Sequence, residues 1–264
     1  MTQAAESSIS SSPPWPIRHV LGMKVDLATA DDAIRVMIAK AKAGEAGYCC
    51  VTNVHTCMVG YDDPAYQKTV NDSDIALPDS TILRRATEFR YGINAPVVEK
   101  GADLMIALCA AAERENVPVA LVGGRDEETL RILKERMLEK FPALRIVYDY
   151  SPPFRPATEE EELALAKALR DSGAQVIICG LGCPKQERWM GRFKPLVNAM
   201  MIGVGAAFDF NSGAVKPSPT WVHRIGAEWL WRLVSEPRRL WRRYFTTSPR
   251  FVRLLIIDKL TRSA

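Results

Sequence analysis

Between Ala102 and Asp209 the chain changes period repeatedly: apolar residues spaced as on a helix face give way to short unbroken apolar runs, then return. Ala102 to Glu115 has the helical pattern, VPVALVGG is a solid apolar run closed by glycines, and EETLRILKERMLEKF is amphipathic again. LRIVYDY, TEEEELALAKALRDSG, AQVIICGLG, KQERWMGRF and AMMIGVGAAFDF continue the series as strand, helix, strand, helix and strand. The acids opening TEEEELALAKALRDSG sit where the positive end of a helix dipole favours them. Strands separated by helices of this length pair in parallel through right-handed crossovers, with helices covering the sheet.

Upstream, DLATADDAIRVMIAKAKAG reads as a helix: Thr29 or Asp31 caps it, Ala33, Val36, Met37 and Ala41 form its buried face, and Gly44 closes it. YCCVTNVHT is a β-prone run ending in polar residues, Pro64 to Asn71 is a second helix, and DIALPD is a strand. The expected class is α/β: a Rossmann-like, mostly parallel open sheet with helices on both faces and a helical basic C-terminal appendage. Residues 1–17, rich in Ser and Pro, are expected to be a flexible tail, 18–220 the sheet domain, and 221–264 the appendage.

Composition closes off several functional classes. No run approaches the roughly 18 to 20 apolar residues of a membrane span, and the start of the chain lacks the basic and apolar regions of a secretion signal. The expected location is therefore cytoplasmic. Cys49, Cys50, Cys57, Cys109, Cys179 and Cys183 make no C-x-x-C pair and read as reduced packing residues. The only histidines, His19, His55 and His223, are far apart, which argues against a His-based metal site. With neither a G-x-G-x-x-G fingerprint nor a P-loop, NAD and ATP are not expected, and no cofactor is called for.

In open α/β sheets ligands bind beyond the carboxyl ends of the strands. That rule selects VTN (51–53), LPD (77–79), LVGG (121–124), CGLGCPKQE (179–187), and Gly203, Gly205 and Asp209. Gly123 and Gly124, ahead of a helix start, either let backbone amides approach a phosphate or serve a tight turn. Gly180 and Gly182 bend the chain out of a strand, Pro184 begins a helix, and Lys185, Gln186 and Glu187 project near the pocket or form a solvated first turn. The Gln186 amide suits a sugar hydroxyl or a uracil edge. Asp79 is placed either to accept a proton from an attacking hydroxyl or to shape a turn. Thr52 and Asn53, at a neighbouring strand end, are within reach of the same cleft.

The net charge of +4 is unevenly spread: from Trp221 onwards ten Lys and Arg face three acids, whereas residues 1–220 hold 25 basic and 28 acidic groups. The appendage thus expects an anionic partner. In EPRRLWRRYF, Arg238, Arg239, Arg242 and Arg243 take one side of a helical wheel, and Leu240, Trp241, Tyr244 and Phe245 the other. Guanidinium forks suit phosphate oxygens, and aromatics beside basic residues suit a bilayer interface. FVRLLIIDKL is a second amphipathic segment. The same apolar side also fits packing on the body, or a contact between copies in a homo-oligomer.

The stretches VTNVHTCMVGYDDP, DIALPDS, KGADLM, VALVGG, VIICGLGCPKQERWM, GVGAAFDFNSGAVKPSP and IGAEWLWRLVSEPRRLWRRY, spread over about residues 20 to 253, resemble the WecG/TagA/CpsF family, glycosyltransferase family 26. The resemblance implies an inverting glycosyltransferase with no required metal. It would move a sugar from a UDP-sugar to a membrane-bound polyprenyl diphosphate-linked saccharide, in the synthesis of teichoic acid, capsule or exopolysaccharide. Asp79 then matches the catalytic base and Thr52, Asn53 and Gln186 the pocket. Lys185, Gly123, Gly124, Gly182, Lys100, Asp103, Gly205 and Asp209 complete the substrate-binding set. Arg232, Arg238, Arg239, Arg242 and Arg243 match an appendage that reaches the lipid diphosphate at the inner face of the cell membrane. The pattern departs at two places: Val98 stands where an arginine is common, with Lys100 close by as its substitute, and Ser80 follows the aspartate where glycine is common. Two other classes compete: a basic module binding membrane or nucleic acid without turnover, and another UDP-sugar-modifying Rossmann enzyme. Polar residues at several strand ends weigh against the first, so no nucleic-acid partner is expected, and the missing dinucleotide fingerprint weighs against the second.

Overall fold

The computed structural model describes residues 14–153, 155–215 and 246–262. Two short antiparallel strands, β1 (Ile17–Val20) and β2 (Met23–Asp26), open the fold. Six more form one parallel sheet: β3 (Gly47–Thr52), β4 (Ile75–Pro78), β5 (Val119–Gly123), β6 (Ile146–Tyr150), β7 (Val176–Gly180) and β8 (Met200–Gly203), in the order β4-β3-β8-β7-β5-β6. The α/β class read from the alternation is the class observed.

The unbroken apolar runs follow from burial on both faces. Successive residues of a strand point to opposite sides, so Cys49 and Val51 enter one core while Tyr48 and Cys50 enter the other. The first core is closed by α1 (Ala30–Lys42), α5 (Gly101–Arg114), α6 (Glu127–Lys140) and the short α9 (Ala207–Asn211). The second is closed by α2 (Val54–Asp62), α3 (Pro64–Asn71), α4 (Thr81–Tyr91), α7 (Glu159–Asp171), α8 (Lys185–Phe193) and α10 (Ser248–Arg262), together with the β1–β2 hairpin. Thr29 caps α1, its side chain accepting the Asp32 N–H, and α7 carries a reciprocal capping box between Thr158 and Glu161.

The last strand is shorter than AMMIGVGAAFDF suggests. It stops at Gly203; Gly205 turns with φ +55, and Ala207–Asn211 is helical, which folds Phe208 back under the strand ends. The hairpin also carried little sequence signal. Its turn holds Leu21 at φ 51 beside Gly22 at φ 83, a position that usually takes Asn or Gly. Leu21 tolerates it because its side chain is buried in the second core.

Trp15, within the stretch expected to be a tail, is buried and donates its indole N–H to Asp26 at 2.8 Å. Asp26 also accepts the Ala76 amide at 2.6 Å, and Lys24 lies 3.5 Å away. Ala76 belongs to β4, an edge strand, so this carboxylate occupies a backbone donor that the sheet leaves open. All six cysteines are free thiols, and five are buried. Burial pushes the Cys57 and Cys109 thiols up to about 12, as expected of packing residues.

Helix α10 packs on the body. Phe251 and Leu255 are buried in the second core, Arg250 makes a two-pronged pair with Asp62 at 2.6 and 2.7 Å, and Arg90 pairs with Asp258. Its other side leaves Val252, Ile256 and Leu260 exposed, one turn apart. Arg232, Arg238, Arg239, Arg242 and Arg243, with the aromatic residues between them, lie outside the described residues.

Candidate active site

A row of expected site residues lines up along the carboxyl edge of the sheet. At one end, Thr52 of β3 faces Pro78 of β4 in register, and the Asp79 amide donates to the Thr52 carbonyl at 2.9 Å. The Asp79 carboxyl reaches towards the start of α5: a Cβ placed on Gly101 would sit 3.9 Å from Asp79 Oδ2 and 3.3 Å from the Val204 carbonyl just after β8. Lys100 occupies the N-cap position of that helix, and its side chain caps nothing. An acid beside the start of a helix faces the positive end of its dipole. Ser80 caps the next helix, its hydroxyl accepting the Leu83 N–H of α4.

The middle of the row is stripped of side chains. A Cβ on Gly123 would come within 2.6 Å of the Gly180 backbone, and one on Gly180 within 2.5 Å of the Phe208 ring. The Gly124 amide donates to the Gly180 carbonyl at 3.3 Å. Gly123 is therefore held to glycine by the convergence of β5 and β7 there, whether or not a phosphate also approaches. The row ends at Asp209 of α9, 3.9 Å from Arg125, which directly follows the glycine pair.

Three expected side chains are turned to other partners. The Thr52 hydroxyl is fully buried and donates to the Leu77 carbonyl at 3.3 Å. Asn53 caps α2, its Oδ1 accepting the His55 and Thr56 amides. Gln186 is buried, its Oε1 accepting the Gly205 amide at 2.9 Å and the Gly182 amide at 3.2 Å, and its Nε2 donating to Glu187 Oε1 at 2.9 Å. Gln186 thus ties the turn after β7 to the turn after β8. Glu187 does not project near the pocket: it points into the second core with no exposed surface. Burial pushes its carboxyl above the ordinary value.

Lys185 stands exposed in the first turn of α8. Asp103 opens onto a groove of about 550 Å³ between α5, α6 and α9, shared with Ile106, Arg136, Lys140 and Phe210. His55, in the first turn of α2 beside Asn53, and Arg125 join the strand-end set without having been singled out; only their positions just after an apolar run pointed to them. Among the described residues, no three His, Cys, Asp or Glu are grouped to hold a metal ion, and no helix is long and apolar enough to cross a membrane.

An open parallel sheet whose strand ends carry a carboxylate, a lysine and bare backbone turns has the architecture of α/β enzymes, a class that binds ligands beyond the carboxyl edge. The model of the glycosyl transferase WecG/TagA/CpsF family matches residues 18–264. The chain belongs to that family: it is a glycosyltransferase of surface polysaccharide synthesis, acting between a sugar donor and a saccharide acceptor.

Proposed function

We propose that this enzyme transfers a sugar, with inversion, from a UDP-sugar to a saccharide carried on a polyprenyl diphosphate. The observation that carries the reading is the Asp79 carboxyl at the edge of the sheet, against the start of α5 and next to turns that present backbone rather than side chains. In the proposed step the acceptor hydroxyl gives its proton to Asp79 as its oxygen bonds to the anomeric carbon. The bond from that carbon to the UDP oxygen breaks, and UDP leaves with the electron pair. Lys100, at the start of α5, is the group suited to the departing charge, with the turns at Gly182 and Gly205 lining the donor site.

The acceptor end of the proposal rests on charge. Arg232, Arg238, Arg239, Arg242 and Arg243 would neutralise the carrier's diphosphate at the inner surface of the cell membrane. The exposed stripe Val252, Ile256 and Leu260, with Arg253 among them, supports a peripheral contact of α10 with that surface. The test is to incubate the protein with a panel of UDP-sugars and a lipid-linked acceptor, and to follow which label moves. Asp79→Asn should leave the unfolding transition in place and lower kcat by about 10²–10⁴-fold, the worth of a positioned general base. Near-normal turnover in that variant would refute the assignment of the base.

A further inference from the structure

Glu187 is a buried acid that the proposed reaction does not use, and unlike Asp26, whose two oxygens are both hydrogen-bonded, it is only half satisfied. It has no exposed surface, Oε1 accepts from Gln186, and Oε2 has no hydrogen-bond partner. The groups that face it are uncharged at neutral pH: the Tyr66 hydroxyl from α3, the Cys50 thiol from β3 and the Cys179 thiol from β7. Tyr66 in turn meets the Cys183 sulfur at 3.3 Å. On its own helix the nearest cation is Arg188, which points outwards to Asp63 at the cap of α3. A carboxylate in such a place would be a charge without a counter-ion.

The Gln186 amide shows what an acid there does. Its oxygen is committed to two backbone donors, so its nitrogen must find an acceptor. Space for that amide is made by two glycines: a Cβ on Gly203 would lie 2.9 Å from Gln186 Nε2, and one on Gly205 would lie 3.6 Å from Oε1. If the amide flipped, its nitrogen would face the Gly182 and Gly205 N–H groups, donor against donor. The acceptor that forbids the flip is Glu187 Oε1.

We propose that Glu187 is a positioning residue: as a carboxylic acid rather than a carboxylate, it locks the Gln186 amide so that the turns after β7 and β8 are held together. The brace exists whatever the enzyme transfers; only its bearing on turnover rests on the reading of these turns as the donor site. The linkage has a definite sign. Burial raises the folded carboxyl above its ordinary value, so the folded chain keeps a proton that the unfolded chain has lost. Stability is therefore greatest below the ordinary carboxyl range, falls as pH rises towards the raised value, and is flat above it.

The test uses the full chain and needs no substrate. Carbon-13 NMR of glutamate-labelled protein should show one carboxyl, absent from Glu187→Gln, still protonated after the exposed glutamates have ionised. Exchange of the Gly182 and Gly205 amides, corrected for intrinsic rates at each pH, should stay within about twofold in E187Q, which keeps the acceptor and fills the Oε2 position without an ionisable group. In Glu187→Ala the same two amides should exchange at least about tenfold faster while the strand interiors do not change. The proposal is overturned if the wild-type carboxyl titrates with the exposed glutamates, or if E187Q frees both amides as E187A does. These readouts are independent of turnover, so a failure of Asp79 as the base would leave them untouched.

Discussion

A methyl group on Gly180 tests the packing that keeps the cleft floor bare. In Gly180→Ala the new Cβ would lie 2.5 Å from Phe208 Cγ, with two further ring carbons at 2.7 and 2.8 Å. That is about 1 Å inside the separation at which carbon atoms attract. The ring cannot retreat freely, since Phe208 is buried in the first core, and Gly180 cannot, since its backbone faces Gly123. Overpacking of this kind costs about 1–3 kcal/mol. Phe208→Ala alone should cost about 3–5 kcal/mol through the cavity it leaves. In the double variant the added methyl enters that cavity, so the two losses should fall short of their sum by about 1–3 kcal/mol. Gly182→Ala is the control: Gly182 has φ +77 and open space around it, so alanine there adds only backbone strain of about 1–2 kcal/mol, which Phe208→Ala does not relieve. The assay is urea unfolding of the four Gly180 and Phe208 combinations and the matching Gly182 pair. Additivity of Gly180→Ala and Phe208→Ala to within about 0.5 kcal/mol would refute the argument.

Two further perturbations probe other parts of the molecule. Burial alone would raise the Asp74 carboxyl, but Lys194, the Tyr48 N–H and Lys40 outweigh it and hold the group below its ordinary value, so its stabilisation is complete above the ordinary carboxyl pKa and is lost as pH falls through the lowered one. Asp74→Asn should be the less stable protein at pH 7 and should converge on the wild type as both are acidified; a difference in urea midpoint that stays constant with pH would refute this. Phe251→Ala should weaken the seat of α10 by about 3–5 kcal/mol, read as faster amide exchange in 248–262 and in the facing parts of α2 and α4, with the sheet unchanged. Unaltered exchange in 248–262 would mean that Phe251 does not seat the helix.

The sheet was legible because its strands announce themselves: a run buried on both faces has no alternation to misread, and α6 and α7 between them have clear caps. Helix α2 was not, because it begins inside VTNVHT, which looks β-prone, and contains Gly60. Only the fold explains that glycine: a Cβ there would come within 2.4 Å of the Met23 side chain of the hairpin. Helix α4 was missed although Ser80 is a sound cap, because TILRRATEFRY buries only Leu83, Ala86 and Thr87. The place of Asp79, just past the end of β4, could be read from strand-end position alone. The work of Gln186 could not, since its partners Gly203 and Gly205 lie on a different strand end and the sequence shows only an amide after two glycines. Pro64 at the start of α3, by contrast, was a local signal and was read correctly.

The strand that delivers Asp79 is the outermost of its sheet, where neighbours hold from one side only. Its other margin is gripped by Asp26, three residues upstream of the carboxylate's own position through Ala76, with Trp15 as the latch. The aim of the proposed base is thereby set far from it in sequence, by an indole and an acid that never meet the sugar. Trimming the protein past Trp15 would blur that aim while leaving every residue of the cleft in place.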